Sequence, residues 1–121
     1  MKIVVGGQLD KERIAQIIIE LGSGLLEVEV QDDITASLSV KNGDAKYYIG
    51  ACNTGGGGAL AMPIALLGSE NCATLSMPSS ILSNEDILKI VASGKQAFGF
   101  TAQHADAVLP ILIPALIEKD E

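Results

Sequence analysis

The chain has 121 residues, a formal net charge of −7 and a hydrophobic share of 48%. The length predicts one domain spanning residues 1–121, and the hydrophobic share excludes a disordered chain. The acidic balance argues against nucleic-acid binding, because phosphate backbones are held by basic surfaces.

Strand-like and helix-like segments alternate along the whole chain. In chain order, the pattern predicts strand 3–5, helix 10–21, strand 26–30, helix 33–40, strand 47–49, helix 59–67, strand 73–77, helix 84–93, strand 97–101 and helix 103–119. Five βα repeats with short connections require right-handed crossovers, which give a parallel sheet with helices on both faces. The strand at 26–30 alternates apolar and acidic residues, which is typical of an edge strand. We therefore predict an α/β fold: a single three-layer domain with a five-stranded parallel sheet in the flavodoxin-like order 2-1-3-4-5.

Four consecutive glycines, Gly55, Gly56, Gly57 and Gly58, lie between the third predicted strand and a helix. At such a junction free backbone N–H groups and the helix dipole favour an anion, so the loop predicts binding of a small phosphate- or carboxylate-bearing metabolite. The alternative is a tight turn that lets the helix pack closely on the sheet. No Gly-Lys-Ser/Thr follows the loop and no acid ends the next strand, so the pattern indicates no nucleotide site and no cofactor is predicted.

Ligands of open parallel sheets bind beyond the carboxyl ends of the strands, where the strand order switches. The first and third predicted strands flank this switch, so Gly6 and Gly7 are expected to face the glycine loop. The candidates for ligand binding follow the strand ends: Gly6, Gly7, Gln8, Asn53, Thr54, Gly55, Gly56, Gly57, Gly58, Ser76 and Thr101. The alternative role of the polar residues Gln8, Asn53 and Thr54 is capping or turn formation.

Cys52 and His104 are the candidates for catalysis. A thiol at a strand end beside a helix N-terminus can acquire a lowered pKa and act as a base or nucleophile, and the alternative for Cys52 is a small buried hydrophobic residue. His104, the single histidine, is either a general acid/base at the rim of the site or a polar residue in the last helix. Cys52 and Cys72 form no Cys-x-x-Cys pair, so we expect reduced thiols and no metal site.

The C-terminal segment at residues 107–117 is strongly apolar. It is shorter than the roughly 20 residues that cross a bilayer, and glycines interrupt the N-terminal apolar run too early for a signal peptide, so a cytoplasmic protein without membrane insertion is expected. A helix that is apolar on several sides predicts a subunit interface, and hence a homo-oligomer. The alternative is packing on the sheet of its own chain.

Three stretches carry a resemblance to a known family. They are MKIVVGGQ at 1–8, the segment from VKNGDAKYY at 40–48 through Leu67-Gly68, and AFGFTAQH at 97–104. These stretches resemble the YhfU-like family of small bacterial proteins, whose function is unknown. The resemblance implies a bacterial cytoplasmic protein and brings no catalytic residue with it.

The segment from Cys52 to Gly57 is also similar to the Cys-Gly-Thr-Gly-x-Gly segment of the B-type ribose-5-phosphate isomerases. There the cysteine is a base and the glycine loop holds a developing oxyanion, and the resemblance implies these roles here. The chain departs from that pattern at Asn53, where the family has glycine, and at Gly7-Gln8, where it has Asp-His. Three hypotheses follow: a binding module for a small anionic metabolite, an isomerase or lyase using Cys52, and an interaction subunit of a transporter or metabolic enzyme.

Overall fold

The structure, a computed structural model, describes residues 1–55 and 57–120. Within these residues it has seven strands and five α-helices, with short 3-10 helices at Ser69–Asn71 and Ala102–His104. In chain order they are β1 (Lys2–Gly7), α1 (Lys11–Gly22), β2 (Glu27–Val30), α2 (Asp33–Lys41), β3 (Tyr47–Cys52), α3 (Gly57–Leu67), β4 (Cys72–Thr74), β5 (Ser76–Met77), β6 (Ser80–Ile81), α4 (Asn84–Ala92), β7 (Ala97–Thr101) and α5 (Ala105–Asp120).

Five of the strands form one parallel sheet in the order β2-β1-β3-β7-β4, and β5 and β6 form an antiparallel hairpin. Helices α1, α4 and α5 cover one face of the sheet, and α2 and α3 cover the other. Tyr47 and Ile49 of β3 belong to the first of these cores, whereas Tyr48 between them belongs to the second, as the alternation of side chains along a strand requires. The predicted three-layer α/β fold with a five-stranded parallel sheet is confirmed.

The last two strands of the sheet lie in the reverse of the predicted order. β7 pairs with β3 and β4 lies at the edge, so the order 2-1-3-4-5 is corrected to 2-1-3-5-4 when the sheet strands are numbered along the chain. The reason is burial: every residue of β7 is buried, whereas the three residues of β4 are half-buried, and only a strand covered on both faces fits the centre of a parallel sheet. The predicted strand 73–77 is also divided, because Ser76–Met77 pairs with Ser80–Ile81 instead of continuing along β7.

Helix α5 runs through Pro110 and Pro114 as one element, with both prolines exposed. Its buried apolar side chains pack in the core that α5 shares with α1 and α4; they are Val108, Leu109, Leu112, Ile113 and Leu116. Packing within the chain therefore accounts for much of the apolar character that predicts a subunit interface, and the homo-oligomer stays a prediction. Among the residues that the structure describes, none of the helices combines the length and apolar character needed to cross a membrane.

Candidate functional site

The carboxyl ends of three neighbouring strands bring the predicted site residues to one edge of the sheet. Gly7 ends β1, Cys52 ends β3 and Thr101 ends β7. Gly7 is the register partner of Ala51, and Cys52 is the register partner of Thr101. We call this the carboxyl edge. The expectation that the end of β1 faces the glycine loop agrees with the geometry, because the Gln8 side chain lies against Gly58.

Close packing explains two of the loop glycines. Gly55 has a φ of +94°, and a Cβ there would overlap the backbone oxygen of Ser76. A Cβ on Gly58 would lie 2.5 Å from Oε1 of Gln8. At Gly55 and Gly58 a side chain has no room, so these two glycines agree with the alternative prediction of a tight turn that lets the helix pack closely on the sheet. Gly57 is exposed and a Cβ there would meet only the Thr54 hydroxyl, at 3.0 Å, whereas Gly56 lies outside the described residues.

Cys52 lies at the N-terminus of α3 with only 2% of its surface exposed. Its Sγ is 3.4 Å from the Thr54 hydroxyl oxygen. Burial by itself raises the pKa of the thiol, but hydrogen bonds from the Thr54 hydroxyl and from the backbone N–H groups of Thr54, Ala59 and Gly58 outweigh it, so the pKa of Cys52 is lowered. Hydrogen bonding to the charged form is what favours a thiolate here.

Tyr48 of β3 contacts the first turn of α3 and helps to position this helix on the sheet. Its ring is fully buried, and its hydroxyl donates a 2.6 Å hydrogen bond to the carbonyl oxygen of Ala59 in the first turn of the helix. Burial strongly raises the pKa of Tyr48, so the phenol stays protonated and remains a donor. The ring also explains Gly6, because a Cβ there would lie 2.5 Å from Cε2 of Tyr48. Sequence reasoning assigned Tyr48 only to a strand, since nothing local indicates a partner 11 residues away.

Ser76, Thr101 and His104 form a second polar group at the carboxyl edge. The Ser76 hydroxyl accepts a 3.0 Å hydrogen bond from the Thr101 N–H and lies 2.9 Å from Nδ1 of His104. Ser76 and Thr101 are only 3% and 2% exposed. Within the described part of the chain, the Thr101 hydroxyl oxygen is buried without a hydrogen-bond partner. A cavity of about 140 Å³ borders this group and is lined in part by Ser76 and Met77.

The remaining polar candidates lie at the surface. Gln8, Asn53 and Thr54 are exposed, so they form the rim of the carboxyl edge. A larger cavity, about 370 Å³, lies at the opposite edge of the sheet, where it is lined in part by Lys2 and Lys46. That edge carries none of the predicted site residues.

Asp33 is a polar residue that sequence reasoning missed. It is the first residue of the predicted helix 33–40, and in the structure Asp32 caps α2 by accepting a 2.9 Å hydrogen bond from the Thr35 N–H. The Oδ1 atom of Asp33 is buried and lacks a partner among the described residues, and its charge contributes to the raised pKa of Tyr48. In the described part of the chain no group of three or more His, Cys, Asp or Glu side chains is arranged to hold a metal ion.

Comparison with known protein families shows which family the chain belongs to. Residues 1–116 match the family described as "Protein of unknown function DUF2620". The chain belongs to this family. It is 41% identical over 112 residues to the uncharacterized protein YhfU of Escherichia coli strain K12, across 93% of this chain and 95% of that protein. The same values hold for YhfU of Shigella flexneri, so the resemblance to YhfU-like proteins is confirmed.

Solved structures extend the comparison to the fold. The fold is similar to that of ribose-5-phosphate isomerase B from Giardia lamblia, with a TM-score of 0.64, 16% identity and coverage of 97% of this chain and 94% of that one. The type B ribose 5-phosphate isomerase of Trypanosoma brucei gives the same score and identity, with coverage of 97% and 85%. The second resemblance is therefore confirmed as a likeness of fold.

Proposed function

We propose that the protein binds a small metabolite bearing a phosphate or carboxylate group at the carboxyl edge, on the loop between β3 and α3. One arrangement carries the proposal: the Cys52 thiol is 2% exposed, its Sγ lies 3.4 Å from the Thr54 hydroxyl oxygen, and hydrogen bonds from Thr54, Gly58 and Ala59 lower its pKa. Burial disfavours charge, so donors that reverse this effect form an environment that stabilises an anion. The same N–H groups and helix dipole act on the oxygen of a bound anion.

The hydrogen-bond donors proposed to hold the anion are backbone N–H groups and a hydroxyl, which can bind an anion locally in a chain with a negative net charge. The formal net charge of −7 repels anions over long distances, so attraction has to be local. Thr54 contributes its hydroxyl, and Gly58 and Ala59 contribute N–H groups. Gly57, the first residue of α3, is exposed and has no side chain that would cover the adjacent N–H groups.

A thermal-shift experiment tests this proposal with ribose 5-phosphate, inorganic phosphate and small carboxylates as probes. Ligand at 100 times its Kd stabilises the folded state by about 2.7 kcal/mol, which gives a readable increase in Tm. We expect a shift in the wild type that is lost in Gly57→Val, because the added side chain covers the loop. Ala61→Val is the matched control, since it adds bulk at an exposed position one turn further along α3. No shift with any probe in folded wild-type protein contradicts the proposal.

Proton transfer by Cys52 is a second candidate, favoured by the lowered pKa of its thiol and by the isomerase-like fold. In an aldose–ketose isomerisation the thiolate takes the proton from C2, the bonding pair forms the C1=C2 double bond, and O1 becomes an oxyanion. The N–H groups at the start of α3 stabilise that oxyanion. The hydroxyl proton of O2 then moves to O1, and Cys52 returns its proton to C1, which gives the ketose and restores the thiolate.

A further inference from the structure

His104 is held by a hydrogen-bond network that starts in the core. Ser76 is buried, and its hydroxyl oxygen lies 2.9 Å from Nδ1 of the imidazole. The same oxygen accepts the N–H of Thr101 at 3.0 Å. Gly55 packs directly on the backbone carbonyl of Ser76, which connects this network to the glycine loop.

The state of the imidazole follows from counting donors and acceptors around Ser76. A hydroxyl has one proton to donate and two lone pairs that accept. The Thr101 N–H occupies one lone pair, and the acceptor at hydrogen-bond distance from the hydroxyl is Nδ1 of His104. If Nδ1 carried a proton, both groups would donate to Ser76 and the buried hydroxyl proton would lose that acceptor. A buried unpaired donor is unfavourable, so the hydroxyl donates to an unprotonated Nδ1.

We infer that Ser76 is a positioning residue that holds neutral His104 in the tautomer with the proton on Nε2. His104 therefore offers an N–H donor at the carboxyl edge. The ligand part of this inference rests on the proposed function: the group that meets His104 is an oxygen acceptor, such as a carbonyl, carboxylate or phosphate oxygen, and not an amine. Ser76, a ligand-binding candidate from its sequence position, then acts through His104.

Nitrogen NMR on the ligand-free protein tests the tautomer, because the chain has one histidine and the spectrum has one imidazole. At about pH 8.5, we expect a protonated Nε2 signal and an unprotonated Nδ1 signal that are fully separated. In Ser76→Ala the two signals should move toward each other, because the constraint on Nδ1 is gone. Ser76→Thr keeps the hydroxyl and should restore the separation.

Two results overturn the assignment: a proton on Nδ1 in the wild type, or signals in folded Ser76→Ala that match the wild type. If Ser76→Ala does not fold, the wild-type spectrum alone decides. These readings need no ligand, so they stand or fall separately from the binding proposal.

The role of His104 as an N–H donor to the ligand is tested by binding experiments, with inorganic phosphate and ribose 5-phosphate as probes. His104→Gln keeps an N–H donor close to the position of Nε2, whereas His104→Phe removes it. We use the probe that shifts the wild-type Tm. His104→Phe should weaken its binding roughly tenfold, because one hydrogen bond to a charged group is worth about tenfold in affinity. His104→Gln should weaken binding by less than about threefold, because it keeps the donor. Equal affinities for both variants and the wild type overturn the donor role of His104.

Discussion

Cys52 and Thr101 are register partners at the ends of two adjacent parallel strands, and the alternation of side chains along β3 and β7 assigns both to the face that α3 covers. Hydrogen bonds from Thr54, Ala59 and Gly58 lower the pKa of the Cys52 thiol, whereas in the described part of the chain the Thr101 hydroxyl has no partner. A buried hydroxyl without a partner is costly in a native protein. Under the proposed function, this unused hydroxyl is a further group that the bound metabolite can meet.

The two thiols of the chain should ionise at different pH values. Burial, followed by the charge of Glu70, raises the pKa of Cys72, whereas the pKa of Cys52 is lowered. Thiolate absorbance during a pH titration should show two steps, with Cys52→Ala removing the lower one and Cys72→Ala the upper one. Thr54→Val removes a donor to Cys52 and should move the lower step upward. A single step in the wild type, unchanged by Thr54→Val, contradicts the assignment.

Stability should depend on pH through Cys52 with a definite sign. The folded pKa is lower than the unfolded pKa of about 8.5, so the contribution is fully present above the unfolded value and is lost as pH falls through the folded value. The free energy of unfolding of the wild type, relative to Cys52→Ala, should therefore increase between about pH 6 and pH 9. Urea unfolding of both proteins gives this difference, and the contribution of Cys72 cancels. A difference that is constant over this range is evidence against a lowered pKa.

Substitution of Cys52 should affect turnover and ligand binding differently. If the protein is an isomerase, Cys52→Ala should lose more than about 100-fold in turnover, the lower bound for a positioned base, while it keeps the Tm shift with the probe anion. Turnover is measured with ribose 5-phosphate and other aldose phosphates. Cys72→Ala is the control, because Cys72 begins the edge strand β4. Wild-type protein that binds the anion and shows no turnover supports the binding module instead.

Tyr48→Phe should destabilise the protein by about 1–3 kcal/mol, since it leaves the buried carbonyl of Ala59 without its donor. The loss is expected in the free energy of unfolding measured with urea. Tyr47→Phe makes the same chemical change one residue earlier, where the ring packs against Phe98 with a centroid distance of 6.0 Å, and should destabilise the protein by less than Tyr48→Phe does. Equal effects of the two substitutions exclude a special role for the Tyr48 hydroxyl.

The sequence predicted the fold class because hydrophobic periodicity and short connections are local signals. It also predicted that Gly7, Cys52 and Thr101 meet at one edge, since parallel strands place their carboxyl ends together. The order of the last two sheet strands depends on which of them is covered on both faces. The residue patterns of β4 and β7 did not show that β7 is wholly buried and β4 only half-buried.

The contacts within the site were harder to predict. Tyr48 with Ala59, and Ser76 with His104, join residues 11 and 28 positions apart. Such hydrogen bonds are set by how the helices pack on the sheet, and no pattern of residue types within one element reports them. Gly6 illustrates the same limit: a ligand candidate by position, it is explained by the room that the Tyr48 ring needs.

The position of β7 between β3 and β4 determines when the sheet can be completed. Both of its neighbours precede it in the chain, so the edges of β3 and β4 that pair with β7 stay unpaired in a growing polypeptide until residues 97–101 arrive. Exposed edges of this kind invite pairing with other chains. A nascent chain that stops before residue 97 is thus an aggregation hazard, because β7 is the strand that joins β4 to the rest of the sheet.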